Sequence, residues 1–306
     1  ELHKILFKKR LSEGSLDFET PEVDIEIDNK GFIKNIKPKH RLESMRMIED
    51  FMLLANKCVT LFIEGKEPKP PFIYRVHDLP DKKRMKELAY FVKQFGINLN
   101  PESKESIQRM LRQIQGRPEE YLINDITIRS MAKAIYSEKN IGHYGLGFNL
   151  YTHFTSPIRR YPDLIVHRIL YDCLNRLNRK KVFHYKEILP EICEHSSDME
   201  ENAIRAEREA IKILQIQYME KHLGDNFWGV ISGITEYGLY IEITENLIEG
   251  MVRLKDLHDD YYILDEKNFQ LIGRHRRRKY RIGDRVKVKV AKIDKEKRWI
   301  DFVIMN

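Results

Sequence analysis

The sequence predicts an α+β protein, with a helix-rich segment over residues 1–222 followed by a small all-β segment over residues 223–306. Two observations predict it. Up to His222 the apolar residues recur mostly at the three- and four-residue spacing of helices, interrupted by a few short alternating runs. Past Gly224-Asp225 the texture switches to short runs punctuated by glycine, the signature of strands. A length of 306 residues accommodates one large domain and one small one. The formal net charge of +7 favours polyanionic partners. Cys58, Cys173 and Cys193 stand far apart with no CxxC spacing, so the thiols are read as reduced and buried, with neither zinc nor disulfides. No apolar run approaches the ~18 residues of a membrane-spanning helix, and no signal peptide is visible. A cytoplasmic monomer is expected.

The elements follow in order. Residues 1–12 form a basic helix carrying Leu2, Ile5, Leu6 and Leu11, and the chain starts in the middle of that pattern, without Met, as a fragment would. Val23, Ile25 and Ile27 alternate with Asp24, Glu26 and Asp28, which gives a strand with a solvent-facing acidic edge. Asn29-Lys30-Gly31 supplies a turn and Phe32–Ile36 returns as a second strand. Arg41 to about Ile63 is helical, with Leu42, Met45, Ile48, Met52, Ala55 and Val59 on one apolar stripe, and Pro68, Pro70 and Pro71 end it. Phe72–Val76 is a short strand; Lys82–Phe95, Ser103–Arg112 and Glu120–Ile135 are helices; Tyr144–Phe148 is a glycine-tolerant strand. Two helices close the segment: Pro162–Leu177, packing through Leu164, Ile169, Cys173 and Leu177, and a long one over Glu187–His222. Beyond it, Phe227–Ile231, Leu239–Ile243, Gly250–Val252, Val286–Ile293 and Trp299–Val303 are short strands packed into about 80 residues, the pattern of a closed five-stranded barrel of the OB type.

Chemistry is written most densely in His153-Phe154-Thr155-Ser156-Pro157-Ile158-Arg159-Arg160-Tyr161-Pro162-Asp163-Leu164. Two arginines follow a Ser-Pro turn, and Pro162 opens a helix at a position where its missing N–H goes unpaired anyway. A guanidinium fork matches phosphate oxygens, so arginines at a helix start make a phosphate clamp. In isolation the same residues read as loop arginines paired with surface acids. The full string resembles the signature of the RNB family of exoribonucleases, the ribonuclease II and ribonuclease R group, and within it the ribonuclease R branch. The resemblance implies that residues 1–222 are the C-terminal portion of a nuclease domain, a mixed sheet surrounded by helices. Arg159 is then a catalytic residue stabilising charge on the scissile phosphate, with Arg160 binding substrate beside it. Phe18, in Gly14-Ser15-Leu16-Asp17-Phe18, is implied to be an aromatic clamp on RNA bases; alone, it reads more often as core. Glu49, in the segment Met47–Asn56, is implied to accept a hydrogen bond from the ribose of the 3′-terminal nucleotide; alone, it is a solvated helix glutamate. Glu207, in Ala206-Glu207-Arg208-Glu209, matches a family glutamate that positions the catalytic groups, and it also fits an ordinary charged helix face.

The barrel pattern Gly229-Val230-Ile231-Ser232-Gly233-Ile234-Thr235-Glu236-Tyr237-Gly238-Leu239-Tyr240, with Gly250-Met251-Val252 and Tyr280–Val286, resembles the S1-type RNA-binding domain. Tyr237, Tyr240 and Arg253 are its expected RNA contacts, with Trp228 in reserve; otherwise Tyr240 is core and Tyr237 a turn residue. Arg274, Arg276, Arg277, Arg278 and Lys279 form a basic run expected to attract phosphates. Together the resemblances imply processive 3′→5′ hydrolysis of single-stranded RNA to nucleoside 5′-monophosphates in RNA decay. The cofactor implied is Mg2+ on an aspartate cluster upstream of the segment where this chain begins. No metal ligands are read within residues 1–306, so this chain alone is expected to be inactive. The alternative is a non-catalytic RNA-binding clamp. The expected partner is single-stranded RNA, with no membrane and no small-molecule cofactor beyond the divalent metal.

Overall fold

The computed structural model describes every residue except 19–21, 40–41, 118, 266–268 and 306. The helices are α1 (Leu2–Ser12), α2 (Glu43–Glu64), α3 (Lys82–Lys93), α4 (Lys104–Ile114), α5 (Glu120–Ser130), α6 (Tyr161–Leu174) and α7 (Arg179–Glu220). The strands are β1 (Val23–Ile27), β2 (Ile33–Pro38), β3 (Tyr74–Val76), β4 (Ile135–Ser137), β5 (Asn226–Thr235), β6 (Gly238–Ile243), β7 (Glu249–Arg253), β8 (Tyr262–Asp265), β9 (Gln270–Gly273), β10 (Lys279–Arg281), β11 (Arg285–Asp294) and β12 (Trp299–Ile304). The chain divides into two compact units, one of Glu1–Phe18, Arg41–Gln115 and Ile126–Ile204, the other of Glu19–His40, Gly116–Asp125 and Arg205–Asn306.

Local chemistry sets the helix starts. Asp81 accepts the Arg84 N–H and caps α3, and Ser103 accepts the Ser106 N–H and caps α4. Asn178 accepts the Lys181 N–H, which starts α7 at Arg179, well before the expected Glu187. Two expectations are corrected. The helix predicted over Glu120–Ile135 stops at Ser130, because Ile135–Ser137 pairs antiparallel with β3, Val76 facing Ile135 and Tyr74 facing Ser137. Cross-strand pairing there outweighs helical spacing. Tyr144–Phe148 is a turn, closed when the His143 N–H donates to Phe148 O (2.7 Å) and the Gly147 N–H to His143 O (2.9 Å).

The first unit's core gathers Ile63, Phe72, Ile73, Tyr74, Val76, Tyr136, Ile165, Val166, Ile169, Tyr185, Leu189 and Cys193. The face of α2 expected to be apolar core is largely outside it: Leu42, Met45 and Ile48 are exposed, while Asp50, Asn56, Thr60 and Ile63 are buried. Those buried polar groups are answered: Asp50 by His3 and Arg10, Asn56 by Tyr151 and the Phe154 N–H, and Thr60 by Asn56 O. Of the thiols, only Cys193 is buried; Cys173 is half-buried and Cys58 exposed.

In the second unit five strands close a barrel in the order β11-β12-β7-β6-β5, β11 returning to pair antiparallel with β5. Its interior is built from alternate positions such as Ile231, Leu239, Ile241, Val252, Val288 and Phe302. The same core takes in Ile33 and Ile36 of β2 and Ile216 and Met219 of α7. Strands β1 and β2 form an antiparallel hairpin with Asp28 accepting the Lys30 and Phe32 N–H groups at its turn. A three-stranded sheet, β10-β9-β8, lies between β7 and β11 in sequence and is absent from the strands read in the sequence.

Candidate nucleic-acid interface

The loop Tyr151–Arg160 is fastened from behind. Thr152 Oγ1 donates to Ile73 O (2.7 Å), the Phe154 N–H to Asn56 Oδ1 (2.9 Å), and the His167 ring meets Phe154 O (2.8 Å) while stacking on the Phe154 ring at 4.1 Å and 8°. Edge-to-face rings run along its base, His77 to His143 (5.0 Å), His143 to Tyr151 (5.4 Å), Tyr151 to His153 (5.7 Å) and His153 to Tyr136 (5.6 Å). Burial first, then the nearby Arg160 and Arg75, push His153 down to about 2; burial, then His77, brings His143 to about 3. Both imidazoles are therefore neutral near pH 7, and the Tyr136 hydroxyl, pushed up to about 12 by burial, shares a hydrogen bond with His153 Nδ1 (2.9 Å). Arg75 lies over the Tyr136 ring at 4.7 Å and is clamped by both oxygens of Glu200 (2.6 and 3.1 Å).

The two signature arginines part ways. Arg160 turns inward, and its Nη2 donates to Asp163 Oδ2 at 2.8 Å, the same oxygen that accepts the Ser156 N–H at 2.8 Å. Asp163 is fully buried. Arg159 is exposed and has no side-chain ion pair or hydrogen bond among the described residues, so its fork is available to a ligand; Ile158 beside it is fully exposed. Three buried polar atoms of this loop, Thr155 Oγ1, Arg160 Nε and Asp163 Oδ1, have no hydrogen-bond partner among the described residues.

Phe18 is half-buried at the end of a tightly held segment. The Leu16 N–H donates to Gly145 O (2.8 Å), and Gln108 Nε2 donates to both Leu11 O and Ser15 O (2.9 Å each). Glu49 is half-buried and shares a small hollow with Asp17, Arg10, Arg46 and Asp50, which brings it to the start of the Phe18 segment.

Glu207 lies on the exposed part of α7 in the second unit. Tyr237, Tyr240 and Arg253 do meet: with Lys255, Tyr261 and Trp299 they line a hollow of about 790 Å³ on the barrel. Tyr237 is 68% exposed, Tyr261 66% and Trp299 52%. The turn carrying Tyr237 is pinned by the Leu254 N–H donating to Tyr237 O (2.9 Å). Gly238 behind it has φ +151, and a Cβ there would sit 2.1 Å from Val252 O, so only glycine fits. Arg253 spends two donors on Asp301 (3.2 and 2.7 Å), which leaves exposed Lys255 as the freer cation. Tyr261 and Trp299 escaped the sequence reading. The available signal for Trp299 was its place next to Ile300 in an alternating strand, which turns the indole away from the core. Trp228 instead sits under Arg285 at 5.1 Å and does not line the hollow. The basic run forms the β9–β10 turn, anchored by Asp260, which accepts the His275 and Arg276 N–H groups.

No group of three His, Cys, Asp or Glu side chains among the described residues is placed to share a metal ion. The one buried carboxylate oxygen in the signature region without a hydrogen-bond partner among the described residues, Asp163 Oδ1, belongs to a side chain already paired with Arg160. The described residues do not fit a divalent-cation site.

A family model of the RNB domain matches residues 1–176, and one of the S1 RNA binding domain matches residues 220–304. Ribonuclease R of Aquifex aeolicus (strain VF5) is 38% identical over 310 residues, spanning 100% of this chain and 43% of that protein. Ribonuclease R 1 of Lactococcus lactis subsp. lactis (strain IL1403) is 39% identical over 307 residues, 99% of this chain and 37% of that protein. The chain spans about two fifths of the length of these curated relatives. Mycoplasma genitalium RNase R superposes with a TM-score of 0.91 at 29% identity, over 99% of this chain and 48% of that one, both in its apo form and in complex with ribose methylated single-stranded RNA.

Proposed function

The chain belongs to the RNB family of exoribonucleases, and from that premise we propose that it supplies the phosphate-clamping and strand-gripping parts of a 3′→5′ exoribonuclease that hydrolyses single-stranded RNA to nucleoside 5′-monophosphates. The observation that carries the reading is the division of labour in the signature loop. Arg160 is consumed by buried Asp163, and the loop is tied from behind at Thr152, Phe154 and His167, yet Arg159 stands exposed and, among the described residues, unpaired. A preorganised, unneutralised guanidinium is what charge developing on a scissile phosphate requires. Arg160 is accordingly a brace that fixes its neighbour.

Phe18 and Glu49 hold the last nucleotides, and the held backbone of Ser15–Leu16 keeps that end of the strand in place. On the barrel, Tyr237, Tyr261 and Trp299 offer stacking faces that grip any base sequence, as repeated steps along one strand demand.

The test is made on the protein expressed from its complete reading frame. Arg159→Ala lowers the rate of mononucleotide release by about 100-fold or more, while single-stranded RNA binding stays within a few-fold. Arg159→Lys rescues poorly because the planar fork is gone. Wild-type turnover in Arg159→Ala overturns the assignment, and a protein that binds RNA without any turnover points to the RNA-binding clamp instead.

A further inference from the structure

The outer side of α6 and the first turns of α7, both in the first unit, enclose a hollow of about 550 Å³ that the signature loop does not include. That volume lies within the range of sites for one small ligand. Its floor is the buried pair in which Asp172 accepts the Tyr185 hydroxyl at 2.8 Å; Asp172 also pairs with the exposed Lys181 ammonium, which fixes that charge at the hollow. Arg168 and His184 line it, are exposed, and have no ion pair or hydrogen bond among the described residues. Tyr171 stands beside them, 66% exposed. Among the described lining residues Asp172 is the sole acid, and it is already paired twice. The turn leading into α7 adds Arg176, Arg179 and Lys180, all exposed.

A free guanidinium, a fixed ammonium and an open aromatic face within one small hollow have the chemistry of a nucleotide site, with fork and ammonium on phosphate oxygens and ring against a base. A flat acidic surface would use the cations but would leave the open ring of Tyr171 beside them without a purpose. The hollow also touches the signature loop through one side chain, since His167 lines it and stacks on Phe154.

We propose that this hollow binds a nucleotide, its phosphate held by Arg168, Lys181 and His184 and its base stacked on Tyr171. The nucleotide comes from one of two sources, a free nucleoside 5′-monophosphate or one residue of an RNA strand. The inference does not rest on the nuclease reading. It is carried by side chains on α6, within the matched nuclease segment, and by Lys181 and His184 on α7, which lie outside both matching family segments.

The experiment is calorimetric titration of the protein from its complete reading frame, in EDTA so that RNA is not consumed, with AMP, ribose 5-phosphate and a decauridylate. AMP binding weakens by tenfold or more in Arg168→Gln and in Tyr171→Ala. Both side chains are exposed, so melting temperatures stay at the wild-type value. Ribose 5-phosphate responds to Arg168→Gln and not to Tyr171→Ala. Loss of AMP binding alone identifies a site for free monophosphate, and a parallel loss for the decauridylate identifies a strand contact. AMP affinity unchanged in both variants overturns the proposal. So does equal binding of AMP and ribose 5-phosphate insensitive to Tyr171→Ala. Neither outcome depends on turnover, so failure here is distinct from failure of the Arg159 assignment.

Discussion

At the scale of single residues, adjacent arginines of one type have opposite fates, and the difference lies in what each faces. Asp163 is fully buried and meets Arg160 at 2.8 Å, so removing the guanidinium strands a carboxylate that keeps only the Ser156 N–H. Arg160→Ala is expected to cost about 3–5 kcal/mol of stability, read as a lowered denaturation midpoint, and Arg159→Ala almost none. Equal midpoints for the two variants would contradict the brace. The neutral histidines give a pH signature. His143 at about 3 and His153 at about 2 titrate far below their unfolded value. The unfolded chain therefore takes up protons that the folded one refuses as pH falls below about 6.5. Stability contributed by the neutral rings is intact above that pH and declines below it, by on the order of 2 kcal/mol per histidine at pH 5. Urea midpoints at pH 7, 6 and 5, measured in a Glu242→Gln background because burial raises that carboxyl to about 7 and it titrates in this window with the opposite sign, read this. A flat profile would mean that the rings are not sealed as described. The sequence announced Arg159 through its motif, but nothing in it distinguished an inward from an outward arginine, since that choice is made by Asp163 three residues on and by the depth of α6.

At the scale of elements, the sequence was most legible where burial alternates cleanly. The barrel strands lie where their alternation put them, because each has one wet and one dry face. The helix α2 shows the opposite case. Its apolar stripe at Leu42, Met45 and Ile48 is exposed, and its buried side carries Asp50, which holds α1, Asn56, which holds the signature loop, and Thr60, bonded within the helix to Asn56 O. Hydrophobic periodicity cannot see a face chosen for its hydrogen bonds. The turn over Tyr144–Phe148 was misread for a related reason, since its role is to clasp the residues before Phe18. Gly147 has φ +69, and a Cβ there would lie 2.6 Å from Glu13 O and 2.8 Å from Gly14 C. Gly147→Ala is therefore expected to cost about 1–3 kcal/mol and to speed amide exchange over residues 13–18 before the rest of the unit loosens. Unchanged exchange there would show that the turn does not hold the Phe18 segment.

At the scale of the whole molecule, the barrel core is larger than the barrel. Ile33 and Ile36 of β2 and Ile216 and Met219 of α7 are buried in the same cluster as Val252, Val288 and Phe302, although they lie before residue 223. An alternating pattern shows that a strand has a dry face but not which distant residues dry it, so these partners were invisible in the sequence. A chain ended after His222 uncovers those side chains, each of which gains about 1.5–3 kcal/mol from full burial. The truncated protein is therefore expected to bind a hydrophobic dye and to lose cooperative melting of the β1–β2 hairpin, so its weakened RNA binding would report unfolding and not a missing grip. The grip is tested cleanly by Tyr237→Ala with Trp299→Ala, two exposed rings whose removal leaves the core intact. This pair keeps the melting temperature and loses about 1–3 kcal/mol of single-stranded RNA affinity per stacked base. If the truncated chain instead melted like the intact one with no dye binding, β1–β2 and the end of α7 would be stable without the barrel, and the shared core would not be what holds them.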